Sequence, residues 1–358
     1  MGKETVNIAV VGCGDIANGY AKTLEAYPHI RLLGATSLHL QRAQEYVEKY
    51  GGRVYASLAE ILADEQVDIV VNLTIHLAHY EIIKQCLLAG KHVYSEKPLA
   101  LSAEESWELV NLAQEKNVRL SCAPMTILGE GQQTAWKYIR EGKLGPVRLA
   151  YVEVNWGRIE SWHPSPEPFY DVGVLFDVGV YPLTILTAIF GPARRVTAYG
   201  HVLLPDRVTK KGRAFHIETP DFVVAAIEFA NGSVARLTAN FYVKQYQSHQ
   251  RGIEFHGDRG SFYLGDFQSF DGPLAYAEFG QRYQEVSYIK EPYHETEWAR
   301  GIAELADAIQ EKRPQRITGA QAAHVVDILC ATRESLTTGH PVIISSECPP
   351  VEPMSWAL

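Results

Sequence analysis

Short apolar runs punctuate the first third of the chain, each too brief for a helix. Val6–Val11, Ile30–Thr36, Asp68–Thr74, His92–Ser95 and Val118–Ala123 have this form, the pattern of strands buried on both faces of a parallel sheet. Helical segments lie between them. Ser57-Leu58-Ala59-Glu60 and Ser102-Ala103-Glu104-Glu105 carry the spacing in which a capping serine meets the amide three residues on. Gly90 closes a helix that begins near Leu77. Strand and helix alternating at this pitch predict a doubly wound parallel sheet over residues 1–125.

After Pro124 the pattern changes. A helix over about Gln132–Glu141 ends at Gly142, and a strand of alternating character starts at Val147. A polar-aromatic loop from Asn155 to Asp171 leads into an apolar helix, Val172–Gly191. Phe222–Ala230 and Ser233–Val243 flank Asn231-Gly232, a strong hairpin signal. Ile253–His256 and Ser261–Leu264 flank a second turn. Two helices near Glu297–Lys312 and Ala320–Thr338, then a short strand at Pro341–Ile344, close the chain. Residues 126–358 therefore read as an α+β domain with a largely antiparallel open sheet. Helices mainly on one side of such a sheet leave an apolar face to cover, so a homodimer or homotetramer is expected.

Length and composition narrow the picture. With 358 residues two domains are the prior, and 46% hydrophobic and 21% charged residues exclude a disordered chain. A formal charge of −9 argues against a general nucleic-acid or anionic-membrane binder. Cys13, Cys86, Cys122, Cys330 and Cys348 lie far apart with no CxxC pair. That fits neither a disulfide framework nor a sequence-local zinc site, and it suits a reducing cytoplasm. The N-terminus has no signal-peptide pattern, and Val6 stands where a myristoylation motif needs Ser or Thr. Val172–Gly191 approaches spanning length, but Asp177 at a bilayer centre would cost roughly 2.5–3.5 kcal/mol. A buried helix carrying a functional carboxylate is the better reading.

The chemistry begins at Gly12-Cys13-Gly14-Asp15-Ile16-Ala17, between the first strand and the first helix. Gly12 permits the tight turn, Gly14 lets a pyrophosphate approach the backbone, and Asp15 and Ile16 open a helix whose amides face the phosphates. A dinucleotide is the expected cofactor. NAD-binding chains usually place an acid at the end of the second strand; here Ser37 stands there, with His39 and Arg42 following. Room for a 2′-phosphate favours NADP over NAD. His76 and His79 lack the carboxylate or thiolate company of a metal pair and read as cofactor contacts or caps. No metal is expected.

Glu96-Lys97-Pro98 after the fifth strand, with Thr74 and His79 some twenty residues earlier and Asp177-Val178-Gly179-Val180-Tyr181 some eighty later, resembles the glucose–fructose oxidoreductase / inositol dehydrogenase / MocA (Gfo/Idh/MocA) family. The resemblance covers nearly the whole chain. It implies an N-terminal Rossmann domain, a C-terminal domain whose open sheet often forms a subunit interface, and NAD(P)-dependent hydride transfer on sugars, polyols or related hydroxy compounds. Lys97 matches the active-site lysine beside the nicotinamide, and Asp177 and Tyr181 match an Asp-x-x-x-His/Tyr pair. Thr74, His76, His79 and Glu96 then fall among the cofactor-binding residues. Two departures bear on substrate identity: Ile75 stands where proline is usual, and Ala123-Pro124-Met125-Thr126 lacks the commoner polar pattern.

The residues support those roles independently. Asp177 and Tyr181 are four apart on an apolar helix and share a face. A tyrosine near pKa 10 needs a nearby cation to accept a proton at neutral pH, which Lys97 would supply. Trp156, Arg158, Trp162, His163, Phe169 and Tyr170 crowd the preceding loop, and such side chains suit stacking on a sugar or ring substrate. The expected function is oxidation or reduction of a sugar, polyol or cyclic ketone. Reduction of a dihydrodiol, conjugated ring or imine, or a non-catalytic NAD(P)-binding role, are the alternatives.

Overall fold

The computed structural model describes residues 5–244 and 251–358; the tetrapeptide before them, read above for a leader, lies outside the described residues. The chain divides into two compact units, Met1–Met125 with Glu297–Val326, and Thr126–Thr296 with Asp327–Leu358. A single cut at 125/126 is thus corrected by one segment. Residues 297–326, read as part of the second domain, belong to the first unit.

In the first unit β1 (Val6–Val11), β2 (Ile30–Thr36), β3 (Arg53–Val54), β4 (Ile69–Asn72), β5 (His92–Ser95) and β6 (Leu120–Cys122) pair in parallel in the order 3-2-1-4-5-6. Between them run α1 (Asp15–Leu24), α2 (Leu40–Tyr50), α3 (Leu58–Ala63), α4 (His79–Leu88) and α5 (Ala103–Glu115). Ile69, Val70 and Val71 are fully buried, as expected where helices cover both faces. The two serine caps form: Ser57 and Ser102 accept from the amides of Glu60 and Glu105. The Glu60 carboxylate reaches back to the Ala56 amide at 2.6 Å, one residue before the usual partner. This strand order reverses between β1 and β4, and in such sheets the crevice at that reversal, beyond the strands' carboxyl ends, receives the ligand.

The later segment joins this unit through side-chain packing. Ile302, Ala303, Leu305 and Ala306 of a helix at Arg300–Gln310 enter the same core as Ile8, Ile69 and Tyr94. Burying Ile302 and Leu305 contributes roughly 1.5–3 kcal/mol each. Thr23 accepts from the Ala299 amide at 2.9 Å, and Ser121 donates to the Ile317 carbonyl at 2.7 Å.

In the second unit, β7 (Val147–Asn155), β8 (Ala193–His201), β11 (Phe222–Phe229), β12 (Val234–Asn240), β13 (Arg251–Gly257), β14 (Gly260–Leu264), β15 (Leu274–Glu278), β16 (Gln284–Glu285) and β17 (Val342–Ile343) form one sheet among the described residues. Its pairings are antiparallel except β7 with β12. A separate hairpin, β9 (Asp206–Val208) with β10 (Ala214–His216), was not anticipated. Both predicted hairpins form, with Glu228 opposite Val234 and His256 opposite Ser261. One sheet face carries Val152, Val154, Ile227, Leu237 and Phe255, all nearly or fully buried. Phe190 of α8 (Val180–Phe190) packs on Phe229 and Phe255, and Tyr138 of α6 (Glu130–Arg140) packs on Phe262.

Three expectations change here. The loop from 155 to 171 contains a 3₁₀ turn, Ile159–Ser161, and a short helix, α7 (Glu167–Val172). The apolar stretch 172–191 is not one α-helix, because Leu175–Gly179 winds as a π-turn before α8. Pro182 has no N–H for the carbonyl one turn back, and widening the preceding turn accommodates that gap. The open sheet face is mixed rather than apolar. Arg195 pairs with Glu228, Arg236 pairs with Glu153, and Arg236 stacks 4.5 Å from the Tyr151 ring centre. Among the described residues no helix is long and apolar enough to cross a membrane.

Candidate active site

In the first unit the expected cofactor residues gather at the carboxyl ends of β1, β2, β4 and β5. Gly12 sits at φ +97°, and a Cβ there would lie 2.8 Å from the Leu73 carbonyl carbon and oxygen and the Thr74 nitrogen. The β1–α1 turn therefore crosses β4 at a distance only glycine allows. Gly14 is the N-cap of α1 and has no side chain to cap the helix. A Cβ on it would meet nothing within 4 Å. Open space above an uncapped helix start, with Asp15 and Ile16 in its first turn, fits a dinucleotide pyrophosphate.

At the end of β2, Ser37 is half-buried and Leu38, His39 and Arg42 are exposed. Thr74 is held by Asn72, whose side-chain oxygen accepts from the Thr74 hydroxyl at 2.7 Å. Asn72 in turn donates to Ser95 at 3.1 Å, so the ends of β4 and β5 are tied beneath the site. His76 is half-buried in the 3₁₀ turn His76–Ala78 that precedes α4.

Two residues read as cofactor contacts are buried and bonded to protein groups. His79 is 1% exposed; Nδ1 lies 2.6 Å from the Pro98 carbonyl and Nε2 3.0 Å from the Thr74 carbonyl. Each ring nitrogen faces a backbone carbonyl and the neutral ring donates to one of them, so His79 packs between the two cofactor-side loops. Burial drives its pKa below the ordinary value. Glu96 is also buried, accepting from Tyr20 Oη at 2.6 Å and from the Lys97 amide at 3.2 Å. It fixes the backbone that presents Lys97, which is half-buried. Burial first, then the Glu96 charge, pushes the Tyr20 pKa well up, so that phenol stays a donor.

The second unit holds the remaining candidates. Asp177 lies in the π-turn and Tyr181 in the first turn of α8. Tyr181 is 6% exposed, its ring 6.3 Å from that of Phe267. Single π-turns of this kind recur at functional sites. Along the loop, Trp162, His163 and Phe169 form an edge-to-face cluster with ring centres 4.7–5.9 Å apart. Arg158 stacks on Tyr242 at 4.5 Å. Trp156 stacks under Arg251 at 4.3 Å, a cation that sequence reasoning missed because it lies 95 residues along the chain. Tyr170 departs from expectation. It is 2% exposed and its hydroxyl is taken up by Ile159, Glu160 and Arg207, so it braces the loop from within.

A glycine turn between strand and helix and the 3-2-1-4-5-6 sheet define a Rossmann unit of the dinucleotide-binding type, and the second unit carries a mixed sheet. Residues 6–123 match the model of the oxidoreductase family with NAD-binding Rossmann fold, and residues 132–263 match the GFO/IDH/MocA C-terminal domain. The chain belongs to the Gfo/Idh/MocA family.

It is 26% identical to the trans-1,2-dihydrobenzene-1,2-diol dehydrogenase of Mus musculus over 231 residues, spanning 62% of this chain and 65% of that one. In structure it resembles levoglucosan dehydrogenase in complex with NADH and L-sorbose, at TM-score 0.82, 20% identity and coverage of 96% and 100%. It also resembles the WlbA dehydrogenase from Bordetella pertussis in complex with NADH and UDP-GlcNAcA, at TM-score 0.80, 19% identity and coverage of 97% and 100%.

Proposed function

We propose that the protein is an NADP(H)-dependent dehydrogenase of a sugar, polyol or related cyclic alcohol. The observation that carries this reading is Asp177 and Tyr181, set at the junction of a π-turn and an apolar helix. The same unit holds an aromatic loop. The bound dinucleotide supplies the hydride acceptor. Tyr181 takes the proton of the hydroxyl being oxidised. Lys97 holds that oxygen as negative charge develops on it. Asp177 accepts from a neighbouring substrate hydroxyl and orients the ring. Trp156, Arg158, Trp162 and His163 present aromatic faces and polar tips to the substrate. The intact Lys97, Asp177 and Tyr181 set argues against a purely regulatory role.

A second reading, oxidation of a trans-dihydrodiol, draws on the likeness to the mouse enzyme and on the Trp162–His163–Phe169 cluster. Absorbance at 340 nm, with aldoses, cyclic polyols and trans-cyclohexane-1,2-diol each offered with NADP⁺, separates the two. Turnover of sugars and polyols above the diol supports the first reading, and the reverse order supports the second. None of the five cysteines is joined in a disulfide, and a cytoplasmic location is part of this proposal.

Cofactor choice gives a prediction. The end of β2 offers Ser37 with His39 and Arg42 beside it and no acid in the usual place, so NADPH is expected to bind more tightly than NADH. Ser37→Asp reverses the order by setting a carboxylate against the 2′-phosphate. Fluorescence titration of both dinucleotides checks this, and tighter NADH binding by the wild type overturns it.

Assembly gives another. Tyr199 and Ile343 are 65% and 72% exposed on the open face of the nine-stranded sheet, beside its charged pairs. A homodimer or homotetramer formed through that face is expected, and Tyr199→Glu should weaken it. Light scattering at micromolar concentration reads the outcome; a monomeric wild type contradicts it.

A further inference from the structure

Arg207 is one of the most deeply enclosed charges in the second unit. Its side chain and that of Asp221 are 0% exposed, and that of Glu160 is 11% exposed. The guanidinium spends its donors on four acceptors. Nε donates to the Leu204 carbonyl at 3.0 Å, Nη1 to Glu160 and to Tyr170 Oη at 2.8 Å each, and Nη2 to Asp221. Tyr170 Oη accepts from the Ile159 amide at 3.2 Å and donates to Glu160 at 2.5 Å. One end of the segment 159–170 is therefore bonded to the other, and both to Arg207.

The β9–β10 hairpin is built for this contact. Arg207 and Phe215 are cross-strand partners, so their side chains share one face, and both lie on Tyr170. The Arg207 Cζ is 4.4 Å from the Tyr170 ring centre and Phe215 is 5.8 Å from it, with Phe241 at 5.4 Å on edge. A second hairpin cation, Arg213, pairs with Glu167 of α7. Asp221 is fixed in turn, accepting from the Leu203 amide at 2.6 Å. Between the clasped ends the loop presents Trp162, His163 and Phe169. A loop with little regular backbone bonding belongs to the parts of a protein that open most readily, and this one is closed by a buried ionic cluster. Such clusters are often exchangeable for apolar packing without loss of stability, and fixing one local conformation is the use assigned to this one.

We infer that Arg207 is a positioning residue for substrate recognition, holding both ends of segment 159–170 so that the aromatic cluster stands preformed. The inference rests on the proposed reading of that loop as the substrate wall. Tyr170→Phe keeps the ring packing and removes the shared hydroxyl; Arg207→Lys keeps the charge and loses the fork.

Hydrogen exchange and steady-state kinetics test it. Amides 159–169 are expected to exchange roughly tenfold faster in either variant, with β8 unchanged. KM for the alcohol that the wild type oxidises best is expected to rise roughly tenfold, with kcat and the NADPH dissociation constant unaltered. Exchange that stays at the wild-type rate, or that rises evenly across the unit, overturns the inference, as does a fall in kcat at constant KM. Should Arg207→Lys not fold, Tyr170→Phe alone decides. Should the wild type oxidise nothing in the panel, the proposed function fails, while the exchange measurement still decides whether Arg207 clasps the loop.

Discussion

Tyr181→Phe is expected to lower turnover by roughly 10²–10⁴-fold, the usual contribution of a positioned proton-transfer group. The substitution deletes one oxygen from a ring that is 6% exposed and packed near Phe267, so the α8 helix should survive it. NADPH affinity should be unchanged, because the dinucleotide turn lies in the other unit at Gly12–Ala17. Steady-state rates at 340 nm and a fluorescence titration read the two quantities separately. Full turnover by the variant would remove Tyr181 from the mechanism and leave the proton to Lys97 or Asp177. Lys97→Ala is a less clean probe, since the lysine follows the buried Glu96 and its loss would disturb the cofactor side as well.

Gly12→Ala is expected to weaken NADPH binding by roughly 5- to 150-fold. A methyl group at Gly12 would stand 2.8 Å from the backbone of Leu73 and Thr74, at a φ of +97° that a side chain rarely adopts. Backbone strain of this kind costs of order 1–3 kcal/mol, and each 1.4 kcal/mol is about a factor of ten in affinity. Either the turn moves or β4 does, and both shift the helix amides that face the phosphates. Gly14→Ala is the control: its φ is −83° and nothing lies within 4 Å of the added carbon. The backbone there tolerates a methyl group, so any lost affinity reports contact with the dinucleotide itself. Unchanged NADPH binding by Gly12→Ala would place the cofactor elsewhere.

The first sheet was legible because its strands are buried on both faces, which writes them as apolar runs; β1, β2 and β5 fall where those runs fall. β3 escaped notice: two residues at the sheet edge, Arg53 and Val54, have no pattern to show. The amphipathic helix at Arg300–Gln310 was visible, but periodicity does not say which sheet a helix will cover, so its return to the first unit was missed. The π-turn at Leu175–Gly179 arises from Pro182 meeting an otherwise helical run, a signal that reads equally as a kink.

Side-chain roles were less legible than elements. His79 and Tyr170 were read as contacts of cofactor and substrate, yet each is buried with a partner far along the chain. Pro98 lies 19 residues from His79 and Arg207 lies 37 from Tyr170. Nothing near either residue announces those partners. Arg207 sits in a three-residue strand, and only folding reveals that Asp221 and Glu160 converge on it.

The central claim is that this chain transfers a hydride between a nicotinamide and a carbon of a hydroxy or keto compound. The mass of the product formed from a cyclic ketone or ketose with NADPH carrying deuterium at both C4 positions tests it most directly. The account predicts an alcohol about one mass unit heavier than that formed with unlabelled NADPH, with Tyr181→Phe producing it far more slowly. Product without the label, or no product from any sugar, polyol or diol class with either dinucleotide, would contradict it.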